Sequence, residues 1–319
     1  ICIGDSSDPA DVERAKEAIE LFRGDLDIVY REYPGIDGVS CVQELLKLVK
    51  TPYAAFVADD DFMVPTALQR CVDFLDDNQE YTAAHGVGAL ISVDSNAAYG
   101  PMKSAGYYRQ PVAEEASASQ RLTNFLENYS VIHFSVHRTE TWRAMYKDAT
   151  QMADWKRFGG ELLQCCLSVI KGKIKEIDGL YLIRQVHDRR YDASAASNGT
   201  ENAGRQPLIN MSANASVDNF DWITSAAWLP SYEVFRDLVS SELSKQDGIN
   251  MEEANRVVKQ AFWSYVAKGL QKKWEMSYGS ATAGFPSRFR HAARATPGVR
   301  RLWRTFGPLI SGARNDMSI

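Results

Sequence analysis

Three consecutive carboxylates close an apolar run in Tyr53-Ala-Ala-Phe-Val-Ala-Asp59-Asp60-Asp61-Phe-Met-Val-Pro65. The run follows the turn signal Thr51-Pro52, and its content predicts a buried strand over 53–58. Like charges this close repel, and unpaired they are costly at a strand end packed inside a domain. A divalent cation offsets that cost. Oxygen-only donors suit Mg²⁺ or Mn²⁺, which keep several waters and take substrate phosphates as further ligands. On this reading the triplet marks a metal-assisted site for a phosphorylated substrate at the carboxyl end of a sheet strand. The simpler reading is a solvated turn whose acidic residues suit the dipole of a helix opened by Pro65.

The elements that must position the triplet alternate between strand and helix. Strands are expected over 1–4, 27–31, 53–58 and 83–93. Helices are expected over 9–23 (with Asp8 as N-cap), 40–49 and 65–77. This order predicts an α/β fold with a mostly parallel sheet flanked by helices. Residues 94–113 read as a loop over a site or an irregular hairpin. Helices over 114–128, 139–146 and 157–171 follow, with strand-like segments at 130–137 and 173–183, the latter interrupted by Gly179. Residues 191–216, rich in Ser, Ala, Asn and Gly, read as a flexible loop. The remainder is expected to be helical, over 220–240, 251–272 and 298–306. The organisation is therefore a unit over 1–190, a loop over 191–216 and a helical C-terminal region over 217–319.

The chain has 319 residues and a net charge of −5, so it carries no nucleic-acid footprint as a whole. The charge is unevenly spread: residues 285–319 hold seven Arg and one Asp, a net of +6, which leaves −11 on the rest. No apolar run approaches the roughly 20 residues needed to span a bilayer. The five cysteines show no CxxC pair, which argues against a zinc site and for a reducing compartment. Four Asn-x-Ser/Thr triplets, at Asn128, Asn198, Asn210 and Asn214, are read as chance in a Ser/Asn-rich chain. The opening Ile1-Cys-Ile-Gly resembles the interior of a strand, so the natural N-terminus is expected upstream.

Three stretches together resemble the nucleotide-sugar glycosyltransferases of the GT-A fold, in particular the inverting glycosyltransferase family 2. Ile1-Cys-Ile-Gly-Asp5-Ser-Ser is similar to that family's second strand, which ends in an Asp followed by small polar residues. Ala58-Asp59-Asp60-Asp61-Phe-Met-Val-Pro65 is similar to its DxD region, where a Pro follows the acidic cluster. Phe158-Gly-Gly-Glu161-Leu-Leu, Gly172-Lys-Ile and Leu182-Ile-Arg184-Gln-Val-His187 resemble its acceptor-side helix, the next strand and the basic residues that end it. The resemblance covers about 1–190 and implies a GT-A (Rossmann-like) catalytic domain there. It also implies that the family's first strand lies upstream of Ile1.

The resemblance implies a role for each matching residue. Asp5 accepts a hydrogen bond from the nucleotide base, a role for an acceptor-only group that suits uracil N–H. Asp59 contacts the ribose or the metal, Asp60 binds the Mn²⁺ or Mg²⁺ that bridges the diphosphate, and Asp61 supports the site as a further metal-side carboxylate or reaches the sugar. Glu161 is the candidate base, because inverting transfer needs a carboxylate to take the acceptor hydroxyl's proton. Its helix buries Phe158, Leu162, Cys165 and Val169, so Glu161 is expected to border the core and to be partly desolvated. The family often has Glu-Asp where this chain has Glu161-Leu162, and Asp154 is the rival base. His187 is a candidate late metal ligand, and Arg184, Arg189 and Arg190 are candidate phosphate clamps. The bland counterparts are a capping Asp5, a helix N-terminal Glu161, a lone loop histidine and surface arginines. His85, His133 and His137 are read as structural.

The implied donor is a nucleotide sugar, with a UDP-sugar favoured, and the implied acceptor is a saccharide or lipid-linked saccharide. The implied location is the cytoplasm, with the arginine- and aromatic-rich segment 285–319 able to rest on an anionic membrane surface at the inner face. The alternatives are a nucleotidyltransferase of related fold and a catalytically inactive sugar- or nucleotide-binding relative. A receiver-type signalling domain is disfavoured by chain length.

Overall fold

The structure is a computed structural model that describes residues 1–94, 100–151, 158–186 and 228–278, with backbone only at 159 and 272–278. In chain order the elements are β1 (Cys2–Asp5), α1 (Pro9–Glu20), β2 (Val29–Glu32), α2 (Gly38–Leu48), β3 (Tyr53–Ala55), β4 (Phe62–Met63), α3 (Pro65–Asp77), β5 (Tyr81–Val93), β6 (Met102–Tyr108), α4 (Ala118–Glu127), β7 (Val136–Arg138) and α5 (Thr139–Tyr146). They continue with a short 3₁₀ turn (Ala149–Gln151), a π-helical turn (Phe158–Leu162), α6 (Leu163–Lys171), β8 (Lys173–Val186), α7 (Trp228–Asp247) and α8 (Met251–Tyr278).

The fold is mixed α/β, and the expectation of a mostly parallel sheet is corrected. β1 and β2 form a two-stranded parallel sheet, while the larger sheet runs β3-β7-β5-β8-β4, with β6 also on β5. In that larger sheet only β5 and β8 pair in parallel; the β3–β7, β5–β7, β5–β6 and β4–β8 pairs are antiparallel. For the consecutive pair β5–β6 the reason is the length of the connection. β6 follows β5 after a short return, which is too brief for the crossover of a dozen or more residues that a parallel pair requires. The strand expected over 130–137 is confined to Val136–Arg138, because Ser135 N–H donates to Ile132 C=O in a turn.

Two apolar clusters hold the larger sheet between helices. α3 begins with Pro65 at its first turn, where a missing N–H costs nothing, and buries Ala67, Cys71 and Leu75 at four-residue spacing on one face. That stripe packs with Ala84, Tyr181 and Leu182. The neighbouring Ala83 and Ile174 belong to the other cluster, as the period-two alternation of strand side chains requires. There α6 is buried on all sides from Leu163 to Ile170 and lies under α4, α5 and α7.

α7 and α8 share this second cluster through Phe235, Val239, Ala261 and Phe262. Asp247, at the end of α7, accepts from the backbone amides of Ala118 (2.7 Å) and Ser119 (2.8 Å), so it satisfies orphan donors of α4. Arg121 of α4 in turn donates to the Val169 and Ile170 carbonyls at the end of α6. No described helix is long and apolar enough to cross a membrane.

Candidate active site

The acidic triplet occupies the turn between β3 and β4, closed by a 3.2 Å bond from Asp61 N–H to Ala58 C=O. Its three side chains have different surroundings: Asp59 is exposed, Asp60 half-buried and Asp61 buried. β4 pairs with β8 so that Phe62 faces Ile183 and Met63 faces Leu182. This register sets the next residues of β8 against the triplet. Arg184 Nε donates to Asp61 Oδ2 at 2.9 Å, and the Gln185 amide donates to Asp61 Oδ1 at 2.9 Å. The Gln185 side chain donates to the Asp60 carbonyl at 3.1 Å.

Both oxygens of Asp61 are thus engaged by β8, and its side chain is fully shielded from solvent. Burial pushes its carboxyl upward, opposed by the Arg184 charge and the Gln185 amide. Arg184 is pushed the other way by its own burial, yet Tyr108 and Asp61 hold its guanidinium above the ordinary value. That guanidinium lies 4.3 Å from the Phe134 ring centre and 5.1 Å from the Tyr108 ring centre, and it donates to the Tyr108 hydroxyl at 3.3 Å.

Glu161 lies in the π-helical turn that leads into α6. Turns of this kind are rare and recur at functional positions. It is half-buried, as its place beside the core-facing positions led one to expect. The Tyr129 hydroxyl donates to Glu161 Oε1 at 2.5 Å. Burial raises the Tyr108 phenol, and the charges of Glu161 and Asp61 both raise it further. Tyr108 therefore touches Arg184 and lies within electrostatic reach of both Asp61 and Glu161.

Asp5 ends β1 in the two-stranded sheet. Its carboxylate accepts from the Ser7 amide (2.9 Å) and the Tyr30 hydroxyl (2.8 Å). Burial raises this carboxyl, but those bonds and the Lys16 charge outweigh it and hold it below the ordinary value. An ionised acceptor at a strand end is thereby kept in place.

Asp154, His187, Arg189 and Arg190 lie outside the described residues, as do the loop 191–216 and the basic segment 285–319. Of the residues assigned to phosphate, Arg184 is turned towards Asp61 and Tyr108. His85, His133 and His137 are buried, each lowered first by burial. Among the described residues no group of three or more His, Cys, Asp or Glu is placed to hold a metal ion. The carboxylates of the triplet on its less buried side are those of Asp59 and Asp60. Such a set fits Mg²⁺ or Mn²⁺, which bind through one or two carboxylates plus substrate phosphates, better than a cation needing an all-protein cage.

Gln185, Tyr108, Phe134 and Tyr129 were not singled out by the sequence reading. Gln185 adjoins Arg184 in a stretch that was noticed, but nothing in a sequence assigns an amide to a carboxylate 124 positions away. Tyr129 follows the end of α4 and carries no periodic signal.

No protein-family model matches the chain, and no curated protein matches it. Among solved structures it is similar to S. aureus TarS. A TarS 1–349 structure in complex with UDP-GlcNAc shares 12% identity at a TM-score of 0.46, over 90% of this chain and 68% of that one. The same fragment in complex with UDP shares 12% at 0.43, over 91% and 67%. A further TarS structure shares 12% at 0.44, over 90% of this chain and 40% of that one. At these scores the likeness is loose and carries no functional conclusion.

Proposed function

We propose that this chain is a glycosyltransferase that moves a sugar from a nucleoside-diphosphate donor to a hydroxyl of a saccharide or lipid-linked acceptor, with inversion and with the help of a divalent cation. The observation that carries the reading is the division of labour within the triplet. Asp61 is buried and fastened to β8 by Arg184 and Gln185, while Asp59 and Asp60 stay on the accessible side of the same turn. A merely solvated acidic turn has no need of a buried anchor with a matched arginine, since burying a charge pair is costly.

Asp59 and Asp60 would hold Mg²⁺ or Mn²⁺ together with the donor's diphosphate. The cation, when bound, supplies positive charge against the charge that develops on the departing nucleoside diphosphate. Asp5 is suited to accept from the N–H of a uracil base. Arg184 acts on the triplet by fixing Asp61 and so the conformation of the turn. Glu161 takes the proton of the acceptor hydroxyl as its oxygen bonds to the anomeric carbon and the carbon–oxygen bond to the diphosphate breaks. Transfer at the cytoplasmic membrane face belongs to the same proposal and rests on the composition of 285–319 alone.

The test is thermal denaturation with UDP, GDP or CDP, each with and without Mn²⁺. Stabilisation by one diphosphate that depends on Mn²⁺ supports the reading and names the donor class. In Asp60→Asn the metal-dependent part should vanish. A chain that responds to none of the three diphosphates overturns the proposal.

A further inference from the structure

Glu161 is held by more than the turn that carries it. The hydroxyl of Tyr129 donates to one carboxylate oxygen, which tethers the group at that atom. Tyr129 itself lies beyond the last residue of α4, where no backbone ladder holds it, so its ring must be set by packing. Two edge-on rings do this: Phe125 of α4 at 5.3 Å and 65°, and Tyr265 of α8 at 5.1 Å and 63°. α8 also reaches the start of the glutamate's turn, because the Phe262 ring lies 6.0 Å from that of Phe158. Phe158 is fully buried and packs on Phe235 of α7 as well. α8 therefore touches both the turn and the tyrosine that together orient Glu161, and α7 touches the turn.

We propose that Tyr129 is a positioning residue for Glu161 and that Tyr265 sets Tyr129, so that α8 is part of the catalytic machinery and not a separate appendage. The inference rests on the reading of Glu161 as the base. Among the described residues, titratable groups that act on Glu161 from the packed elements include Tyr108 of β6, Tyr129, Tyr146 of α5 and Cys165 of α6, and His133, lowered by burial to about 4, bonds to the Glu161 backbone. Burial raises the three phenols and the thiol and lowers the imidazole, so all of them are neutral near pH 7. A neutral phenol that donates to a carboxylate favours its ionised form, the form a base needs. It also restrains the carboxyl at one of its oxygens.

The experiment compares the full chain with Tyr129→Phe, Tyr265→Phe and Tyr265→Ala. Two quantities are followed against pH: UDP release from the donor sugar, and the ¹³C titration of the Glu161 carboxyl, assigned with Glu161→Gln. Tyr129→Phe keeps the ring and removes only the donor. It should move the acidic limb of UDP release, and the carboxyl midpoint with it, upward by about one pH unit. Tyr265→Phe should leave both in place and Tyr265→Ala should move both in the same direction, since the ring contact and not the hydroxyl does the holding. An unchanged carboxyl midpoint in Tyr129→Phe overturns the inference and leaves the transferase reading standing. A midpoint that moves as expected while the unsubstituted chain releases no nucleoside diphosphate from a UDP-, GDP- or CDP-sugar overturns the transferase reading, and with it the role of Glu161 as base.

Discussion

Arg184 donates from Nε to the buried carboxylate of Asp61 at 2.9 Å, and this contact ties the last strand of the sheet to the acidic turn 123 positions earlier. The pair is flanked by the rings of Phe134 and Tyr108, so little water competes for it. Its consequence is directional. By fixing the third carboxylate of the triplet it determines where the first two emerge.

Breaking this pair should be expensive, because the remaining charge stays buried. The Arg184 side chain is 16% exposed and that of Asp61 0%. Arg184→Met is expected to cost about 3 kcal/mol in urea denaturation, as is usual when one partner of a buried ion pair is removed. Combining it with Asp61→Asn should cost less than the sum of the two single changes. Additive costs would show that the two groups do not depend on each other.

Acid should destabilise the fold through buried histidines. Burial lowers His133 to about 4 and His137 to about 3 from an ordinary 6.5. Their folded-state values lie below the unfolded ones, so between the two the unfolded chain binds more protons. Stability therefore falls as pH drops below 6.5. Each histidine contributes about 2 kcal/mol of loss between pH 6.5 and 5 at about 1.4 kcal/mol per unit. Urea midpoints at pH 7, 6 and 5 measure this, and His137→Asn should flatten the slope. An equally steep slope in that variant would place the acid sensitivity elsewhere.

Elements with strong local punctuation were legible in the sequence. α3 runs over the 65–77 expected, because Pro65 fixes its start and Ala67, Cys71 and Leu75 fix its face. α5 likewise spans the residues expected, Thr139–Tyr146. Residues 94–113 were read as a loop over a site or an irregular hairpin, and within them Met102–Tyr108 forms β6, antiparallel to β5. Strand direction was not legible: βαβαβ order argues for parallel pairing, but it does not say that β7 will slip antiparallel between β3 and β5. Nor was the support of the site. Candidate carboxylates announce themselves by type, whereas Tyr129, Tyr108 and Gln185 act over long sequence distances through packing that no periodicity encodes.

The parallel core pair is itself tightly specified at Gly86. A Cβ there would lie 2.6 Å from the Gly179 carbonyl and 2.7 Å from the Tyr181 Cβ. Gly179, at φ +104°, belongs to a stretch where β8 carries extra residues against β5, so the backbone approaches closely. Gly86→Ala must push β8 aside and should cost about 1–3 kcal/mol, the usual range for overpacking. Chemical denaturation reads this directly, and an unchanged midpoint would mean that the bulge gives way freely.

Glu161→Gln separates binding from chemistry. The amide keeps the size of the side chain and an oxygen that can accept from Tyr129, so the local packing should persist. The Mn²⁺-dependent shift with the diphosphate should also persist, because Glu161 is assigned to the acceptor side and not to the donor. Turnover should fall by about 10²-fold or more, since a carboxamide cannot take up the acceptor's proton at neutral pH. A variant that loses donor binding would make Glu161 part of the nucleotide pocket. One that keeps full turnover would move the base to another carboxylate. Loss of turnover with binding intact is the pattern expected of a group needed only in the reacting state.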